Sequence, residues 1–156
     1  MSLNNDLNHL LDERTRRFLE QGSQRMLIGA HWRDARDGGR LEVTNPADEQ
    51  SLGSVPAAGE ADVDDAVAAA RAALEDGPWA RARPAGRERL LLKLADLMER
   101  DARVLAQLDS VDNGKSAQIA EAVDVTLAIA FFRYMAGWAT KIEGGTHEVS
   151  ALMAAP

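Results

Sequence analysis

Apolar residues recur at helical spacing between residues 110 and 145, and this segment is predicted to organise the rest of the chain. Between Val125 and Ala139 the only charged residue is Arg133, and a helix that is apolar on every side must be covered on every side. The pattern therefore predicts the buried central helix of a soluble protein, shorter than the run of about 20 apolar residues that spans a bilayer. Its large or apolar positions are Ile119, Val123, Leu127, Ala130, Tyr134, Trp138 and Ile142.

Residues 1–25 are predicted to form an N-terminal extension with a short helix that ends at Gly22. The favoured interpretation is a surface helix that is only loosely attached. A membrane-binding helix is the alternative, but charges of mixed sign do not favour an anionic surface. The broken apolar stripe of this segment consists of Leu7, Leu10, Leu11, Phe18 and Leu19.

Short extended runs separated by turn residues follow between Met26 and Val55. Residues 26–28 and 31–32 flank Gly29-Ala30, which is typical of a hairpin, and residues 37–39 indicate a second turn. Leu41 and Val43 alternate with polar neighbours as in a half-buried strand, residues 45–48 form a turn, and residues 51–55 return as a fourth strand.

The residues from Gly59 to Leu74 carry the signals of an amphipathic helix. Gly59 is a candidate N-cap with Asp62 three residues later, and several carboxylates lie at the positive end of the helix dipole. Gly77-Pro78 ends the helix, and Trp79 is predicted to be a packing anchor in the following loop. The predicted buried stripe is Val63, Val67, Ala70 and Leu74.

A second long helical run follows Pro84 and is predicted to be interrupted near Asp101. Gly114 can adopt the left-handed conformation that ends a helix, which leaves Ser116 free to cap the next one. The charges of this run lie opposite its apolar stripe and are expected to be solvated. That stripe consists of Leu91, Leu94, Met98, Ala102, Leu105 and Leu108.

Composition limits the classes of function. A length of 156 residues favours one domain, and 25 acidic against 18 basic residues give a net charge of -7, which argues against nucleic-acid and anionic-membrane partners. No cysteine is present, so a disulfide, a thiolate nucleophile and a thiolate metal site are excluded. Because the N-terminus lacks an apolar signal core, a cytoplasmic location is expected.

Residues with obvious catalytic or cofactor-binding patterns are absent from the sequence. His9, His31 and His147 lie far apart and do not have the spacing of a zinc site. Neither a G-x-G-x-x-G turn after a strand nor a phosphate-binding G-x-x-x-x-G-K-[ST] loop occurs. The residues themselves therefore predict a mainly helical protein with short hairpin strands and no chemistry of its own.

Four segments in order resemble the N-terminal portion of the NAD(P)-dependent aldehyde dehydrogenases: VTNPADEQSLGSVPAAGEADVDDAVAAARAAL, GPW, RERLLLKLADLMERDARVLAQLDSVDNGK and FFRYMAGWATKIEGG. The tail is most similar to phenylacetaldehyde dehydrogenases, and Ser116 stands where the family commonly has proline. The resemblance implies an α/β family fold, in which residues 26–150 belong to the cofactor domain. It also implies that an oligomerisation strand begins near 146–150 and that 151–156 are a truncated tail.

The resemblance also implies which groups the chain lacks. In the family a cysteine attacks the aldehyde, an asparagine in a later PWNF segment helps hold the oxyanion, a glutamate acts as base and NAD or NADP takes the hydride. None of those segments is present, so we expect no catalytic or cofactor-binding residues here. The chain is interpreted as the N-terminal segment of a homo-oligomeric enzyme that oxidises an aldehyde, with arylacetaldehydes as candidates. The alternative is a non-catalytic remnant that acts as a helical oligomerisation or interaction module.

Supporting residues carry over by position from the resemblance. Val123 and Leu127 match places where the helix after DNGK lines the aldehyde tunnel, and plain core packing is the alternative for both. Asp112, together with the backbone of Thr44, matches a structural monovalent-cation site. A simple role at the helix terminus is the alternative for Asp112.

Overall fold

The computed structural model describes residues 10–146, which form helices and two small antiparallel sheets. The helices are α1 (Glu13–Glu20), α2 (Glu60–Glu75), α3 (Pro78–Arg81), α4 (Pro84–Arg100), α5 (Ala102–Asn113), α6 (Ala117–Ile119), a π-helical turn (Ala120–Val125) and α7 (Thr126–Trp138). The strands are β1 (Met26–Ile28), β2 (His31–Arg33), β3 (Arg40–Thr44) and β4 (Ser51–Pro56). The predicted mainly helical class with N-terminal hairpin strands is confirmed.

Both predicted hairpins are present. β1 pairs with β2 across the Gly29-Ala30 turn, and β3 pairs antiparallel with β4, with a register shift between Val43 and Thr44. The chain just after α1 adds a short parallel bridge to β4, in which the Ser54 N–H donates to the Gly22 carbonyl at 2.7 Å. Gly53 has φ 128, and a Cβ there would lie 1.9 Å from that carbonyl oxygen. Only glycine fits this close backbone approach.

The helix predicted to end at Gly22 is α1, but it is not loosely attached. The buried side chain of Gln107 in α5 accepts hydrogen bonds from the Asp12 N–H and the Thr15 hydroxyl, each at 2.8 Å. The Gln107 amide nitrogen donates in return to the carbonyl of Leu10 at 3.2 Å. Buried polar groups need such partners, so the loose attachment predicted for this helix is wrong. Leu7 lies outside the described residues.

Packing of α2 differs from the prediction. Gly59 is the N-cap, and its N–H donates to the Asp62 carboxylate at 3.1 Å, as the capping signal indicated. The predicted buried stripe, however, faces outward: Val63 is 53%, Val67 59% and Leu74 60% exposed. The helix instead turns its alanines toward β1, where a Cβ on Gly29 would lie 3.7 Å from the Cβ of Ala69. Small side chains allow this close approach, which larger ones would prevent.

Polar contacts complete the attachment of α2 to the first hairpin. The Asp62 side chain, only 3% exposed, accepts from the Arg36 N–H at 3.2 Å with both oxygens. One turn later, Asp65 pairs with Arg33 at 3.1 Å and Arg36 at 2.5 Å. A carboxylate in the first turn thus both caps the helix and fixes the loop after β2.

The long helical run divides at Asp101 into α4 and α5, as predicted, and Gly114 ends α5 with φ 79. The Arg87 guanidinium lies 5.7 Å from the ring centroid of Trp79 and donates to the Ala80 carbonyl at 3.3 Å. Trp79 therefore packs against α4, as its predicted role as an anchor requires, although it lies in the short helix α3 and not in a loop as predicted, and it remains 40% exposed.

The apolar core lies where α4, α5 and the chain from the π-helical turn through α7 meet. Its buried members are mostly small: Ala95, Ala106, Ala120, Val125 and Ile129. Met98, Ala102 and Phe132 pack at its edge. Several of the large residues that carry the helical pattern of the sequence, including Leu94, Leu105 and Leu127, are exposed instead.

The expected burial of α7 on every side is therefore wrong for the described residues. Leu127 is 62%, Phe131 59%, Tyr134 62% and Trp138 49% exposed. In α4 and α5 the predicted stripe is likewise only partly buried, with Leu94 and Leu105 at the surface. Residues 147–156 lie outside the described residues, and with them most of the predicted strand at 146–150 and the tail at 151–156.

Candidate functional site

The two residues matched to the tunnel lie together at the start of the last long helix. Val123 is in the π-helical turn and Leu127 is in the first turn of α7, four residues later. Residues at that spacing share one helical face, and both side chains are exposed, Val123 by 43%. Within the described residues neither side chain is buried, and together they form an open apolar surface, called here the apolar wall.

A side-chain hydrogen bond accompanies the π-helical turn. A π-helix closes i to i+5 bonds, is rare, and often occurs at functional sites. The Thr126 hydroxyl donates to the carbonyl of Glu121, five residues earlier, at 2.9 Å. This bond gives the Glu121 carbonyl a side-chain partner within the wide turn that also contains Val123. Hydrophobic spacing alone gave no sign of the π-helical turn.

A lysine fixes the connection that leads into this turn. The Lys115 ammonium donates to Asp124 at 2.5 Å and lies 4.0 Å from Asp109. The hydrogen bond to Asp124, aided by the charges of both carboxylates, raises the pKa of Lys115. In the same connection, the Ser110 hydroxyl donates to the Lys115 carbonyl at 2.6 Å. The pairing of Lys115 with Asp124 could not be predicted from the sequence, since a nine-residue separation across a helix break leaves no periodic signal.

The second candidate site lies at the opposite end of this connection, where α5 meets the β3–β4 sheet. Asp112 is exposed in the last turn of α5 and lines a largely apolar cleft of about 430 Å³ together with Val43 and Ser54. Thr44 ends β3, and two residues later the Cγ of Pro46 lies 3.0 Å from where a Cβ on Gly114 would be. The fold thus brings the end of β3 beside the helix end that carries Asp112.

Few side chains near Asp112 and Thr44 could act as ligands for a metal ion. Within residues 10–146, no group of three or more histidine or carboxylate side chains is placed to hold a metal ion. A single carboxylate suits a monovalent cation better than a divalent ion, which prefers several charged ligands. His31 belongs to no such group in this part of the chain, while His9 and His147 lie outside it.

Among residues 10–146, no helix is long and apolar enough to cross a membrane. The apolar wall formed by Val123 and Leu127 continues along α7 toward Trp138, where further large apolar side chains are exposed.

Comparisons with known proteins identify the relatives of this arrangement. The family model described as the aldehyde dehydrogenase family matches residues 32–155. A phenylacetaldehyde dehydrogenase of Pseudomonas fluorescens is 42% identical over 125 residues, which are 80% of this chain and 25% of that protein. An aldehyde dehydrogenase of Emericella nidulans is 52% identical over 110 residues, which are 70% of this chain and 22% of the relative.

Solved structures agree with the sequence matches. The NAD+ complex of an aldehyde dehydrogenase from Bacillus cereus is 43% identical and superposes with a TM-score of 0.84, covering 90% of this chain and 28% of that one. An NAD-dependent aldehyde dehydrogenase from Sinorhizobium meliloti superposes with a TM-score of 0.76 at 34% identity, covering 87% of this chain. The chain spans about a quarter of the length of the relatives it matches.

Proposed function

Because the chain belongs to the aldehyde dehydrogenase family, we propose that it forms the N-terminal segment of an enzyme that oxidises an aldehyde to a carboxylic acid with NAD or NADP. The observation that carries the proposal is the family match over residues 32–155. Within that reaction, these 156 residues supply framework and tunnel wall, since no cysteine is present to attack the aldehyde.

An arylacetaldehyde is the proposed substrate class. The wall formed by Val123 and Leu127 is apolar and open, and an aromatic ring leaving water for such a wall gains hydrophobic free energy. The similarity to a phenylacetaldehyde dehydrogenase supports the same class. The bound cofactor in the Bacillus cereus structure supports NAD as the hydride acceptor.

The role of the apolar wall can be tested by measuring substrate preference in a full-length aldehyde dehydrogenase that catalyses the whole reaction. We expect Leu127→Ala to lower kcat/KM for phenylacetaldehyde several-fold more than for acetaldehyde, since only the larger substrate reaches across the wall. Val67→Ala is the matched control, because Val67 is equally exposed but lies on α2. Equal losses for both aldehydes would contradict a tunnel role for Leu127.

The incomplete chemistry is tested on the 156-residue chain itself. The purified chain is expected to oxidise no aldehyde and to bind no NAD or NADP measurably in a calorimetric titration. Cofactor binding in the micromolar range would show that phosphate and ribose contacts lie within this segment, and would overturn its assignment as framework.

We propose the monovalent-cation site as a supporting feature of the same enzyme. The Asp112 carboxylate and the backbone at Thr44 would hold the ion, and the close packing of Pro46 on Gly114 supports their proximity. In a full-length protein, Asp112→Ala should lower thermal stability more in potassium buffer than in choline buffer. Equal losses would favour the helix-terminus role.

An interaction module is the second candidate function, favoured by the large apolar side chains that α2 and α7 expose. As a homo-oligomer, the chain would cover these faces with copies of itself. Light scattering after size exclusion, combined with thermal unfolding, tests this: a single oligomer of the 16.9 kDa chain that unfolds cooperatively favours the module, whereas association without a defined size is expected of the enzyme segment alone.

A further inference from the structure

Lys115 joins the end of α5 to the π-helical turn through both its side chain and its backbone. Its ammonium donates to the Asp124 carboxylate of the turn at 2.5 Å. Its backbone N–H donates to the side-chain oxygen of Asn113 at 2.9 Å, and its carbonyl accepts from the Ser110 hydroxyl at 2.6 Å. The Asn113 amide donates in turn to Asp109 at 2.6 Å. The backbone of Lys115 is therefore fixed on α5, and its side chain reaches from there to the turn.

The turn that contains Asp124 also carries one half of the apolar wall. Asp124 directly follows Val123, whereas Leu127, the other member of the wall, belongs to α7. The core contacts of Val125 and Ile129 fix α7 against α4 and α5. The position of Val123 beside Leu127 consequently depends on the geometry of the turn between them.

The register of this turn decides whether the two wall residues share a face. A π-helical turn holds one more residue within its hydrogen-bonded loop than an α-helical turn does. Each residue of an α-helix turns by about 100° around the axis, so a change of one residue in register would move Val123 away from the face that Leu127 occupies. The Thr126 hydroxyl, which donates to the Glu121 carbonyl at 2.9 Å, crosses the turn from the α7 side. Asp124 is anchored from the α5 side, and the two contacts together oppose such a change.

The Lys115–Asp124 pair is partly open to water, with side-chain exposures of 38% and 40%. Ion pairs of that exposure contribute little to overall stability, because water and salt screen them. A charge-assisted hydrogen bond is nevertheless short and directional, so it fixes the position of the groups that it joins. Loss of the pair should therefore leave the fold intact and change the turn.

We propose that Lys115 is a positioning residue that determines substrate selectivity: by holding Asp124 it keeps the π-helical turn in register, and thereby keeps Val123 beside Leu127 in the apolar wall. The role rests on the proposed function, which supplies the aldehyde substrate. It extends that function by assigning selectivity for large aldehydes to a side chain that lies outside the wall and acts without touching the substrate.

The first measurement is hydrogen exchange of the 156-residue chain, followed at residues 120–126. Lys115→Met keeps the aliphatic stem of the lysine and removes its charge, and it should speed exchange of these amides by about fivefold without changing that of α1 or α2. Lys115→Arg retains the charge and should restore slow exchange. Lys93→Met, which removes the same charge from an exposed position on α4, is the matched control and should change nothing in this region.

Selectivity is measured in a full-length aldehyde dehydrogenase that contains these residues. Lys115→Met should lower kcat/KM for phenylacetaldehyde about fivefold more than for acetaldehyde, through a higher KM with kcat retained, because a displaced Val123 weakens binding of the larger substrate. Thr126→Val, which removes the other contact across the turn, should change selectivity in the same direction. The midpoint of urea unfolding should stay nearly constant in Lys115→Met, which separates positioning from a general loss of stability.

Unchanged exchange in residues 120–126, or equal losses for both aldehydes, would overturn the proposal, as would an equal effect of Lys93→Met. Failure of the proposed substrate gives a different result, since the unsubstituted enzyme would then oxidise acetaldehyde but not phenylacetaldehyde. In that case hexanal, which also presents an apolar chain to the wall, replaces phenylacetaldehyde in the comparison, and the same selective loss is expected of Lys115→Met.

Discussion

The two helices with exposed apolar faces, α2 and α7, are attached to the protein by different forces. The inner side of α2 is held by the Asp62 carboxylate, by ion pairs of Asp65 and by alanine contacts with β1. The inner side of α7 is held by Val125, Ile129 and alanines packed against α4 and α5. Both helices thus expose large apolar residues, but α2 is attached mainly by polar contacts and α7 mainly by apolar contacts.

This difference shows that hydrophobic periodicity indicates where the large residues lie along a helix. It does not determine which face of the helix is buried. Packing of a helix on a strand or another helix at short distance requires small side chains, and in both helices alanine meets that requirement. Substitutions on the inner faces should therefore affect folding, whereas substitutions on the outer faces should affect association.

The largest effect is expected at the apolar attachment. Ile129→Ala should lower the free energy of unfolding by about 3 kcal/mol, because it removes methylene groups from a packed site that is only 7% exposed. Leu127→Ala, a similar truncation on the outer face, should cost less than about 1 kcal/mol. Urea unfolding of both variants measures the difference. A comparable cost for both would show that the outer face is covered in solution.

The polar attachment is expected to be somewhat weaker. Asp62→Ala should lower the free energy of unfolding by roughly 2 kcal/mol, because the N–H groups of Gly59 and Arg36 lose a charged acceptor in a buried place. Asp64→Ala, on the exposed side of the same helix turn, serves as the control and should cost less than about 0.5 kcal/mol. Thermal unfolding followed by circular dichroism would show equal losses if Asp62 acted only through the helix dipole.

A smaller effect is expected from the exposed ion pairs of α2. Asp65→Asn should cost about 0.5 kcal/mol at low ionic strength, because partly exposed pairs are screened by water. In 1 M salt, where the screening length falls to about 3 Å, the loss should nearly vanish. The loss caused by Ile129→Ala should not fall in the same way. A salt-independent loss for Asp65→Asn would indicate that packing matters more than charge at this position.

The smallest effect concerns Asp101, between α4 and α5, and depends on pH. Hydrogen bonds from Arg100 and then Arg14 hold the pKa of Asp101 well below its usual range. A carboxyl group whose pKa is lower in the folded state stabilises the fold fully above its unfolded pKa, about 3.9, and loses that contribution as pH falls through the folded value.

Asp101→Asn should therefore be less stable than the unsubstituted protein at pH 7, and the difference should narrow progressively below about pH 4. Urea titrations at pH 7, 4 and 2 measure it. A difference that stayed constant across this range would mean that Asp101 acts through its shape or its backbone position, and not through its charge.

Local features of this fold could be predicted from the sequence, whereas the choice of buried face could not. The two hairpins, the Gly59 cap and the helix end at Gly114 depend on neighbouring residues and were predicted correctly. Burial of Asp62 and Gln107 depends on partners that are distant in sequence, and average preference places both types at the surface. No local sequence pattern predicted that either side chain would be buried.

The candidate site likewise combines residues that could be identified from the sequence with contacts that could not. The resemblance singled out Val123, Leu127, Asp112 and Thr44, and the structure places them in two groups at the ends of the connection between α5 and α7. The π-helical turn and the Lys115–Asp124 pair that hold this connection required three-dimensional information. Periodicity cannot detect a widened helical turn, because a single extra residue changes the spacing only once.

The hydrogen bonds from Gln107 to the segment around α1 have a consequence for synthesis on the ribosome. Asp12 and its partner Gln107 are 95 residues apart in sequence, so α1 emerges long before the helix that binds it. At translation rates of about 5–20 residues per second, the delay is roughly 5 to 20 s. During that interval the side chains of Thr15 and Leu19, buried in the finished fold, have no partner from α5. Helix α1 is thus made early but is fixed in place late, and until α5 emerges the buried side of this largely polar helix lacks its partner.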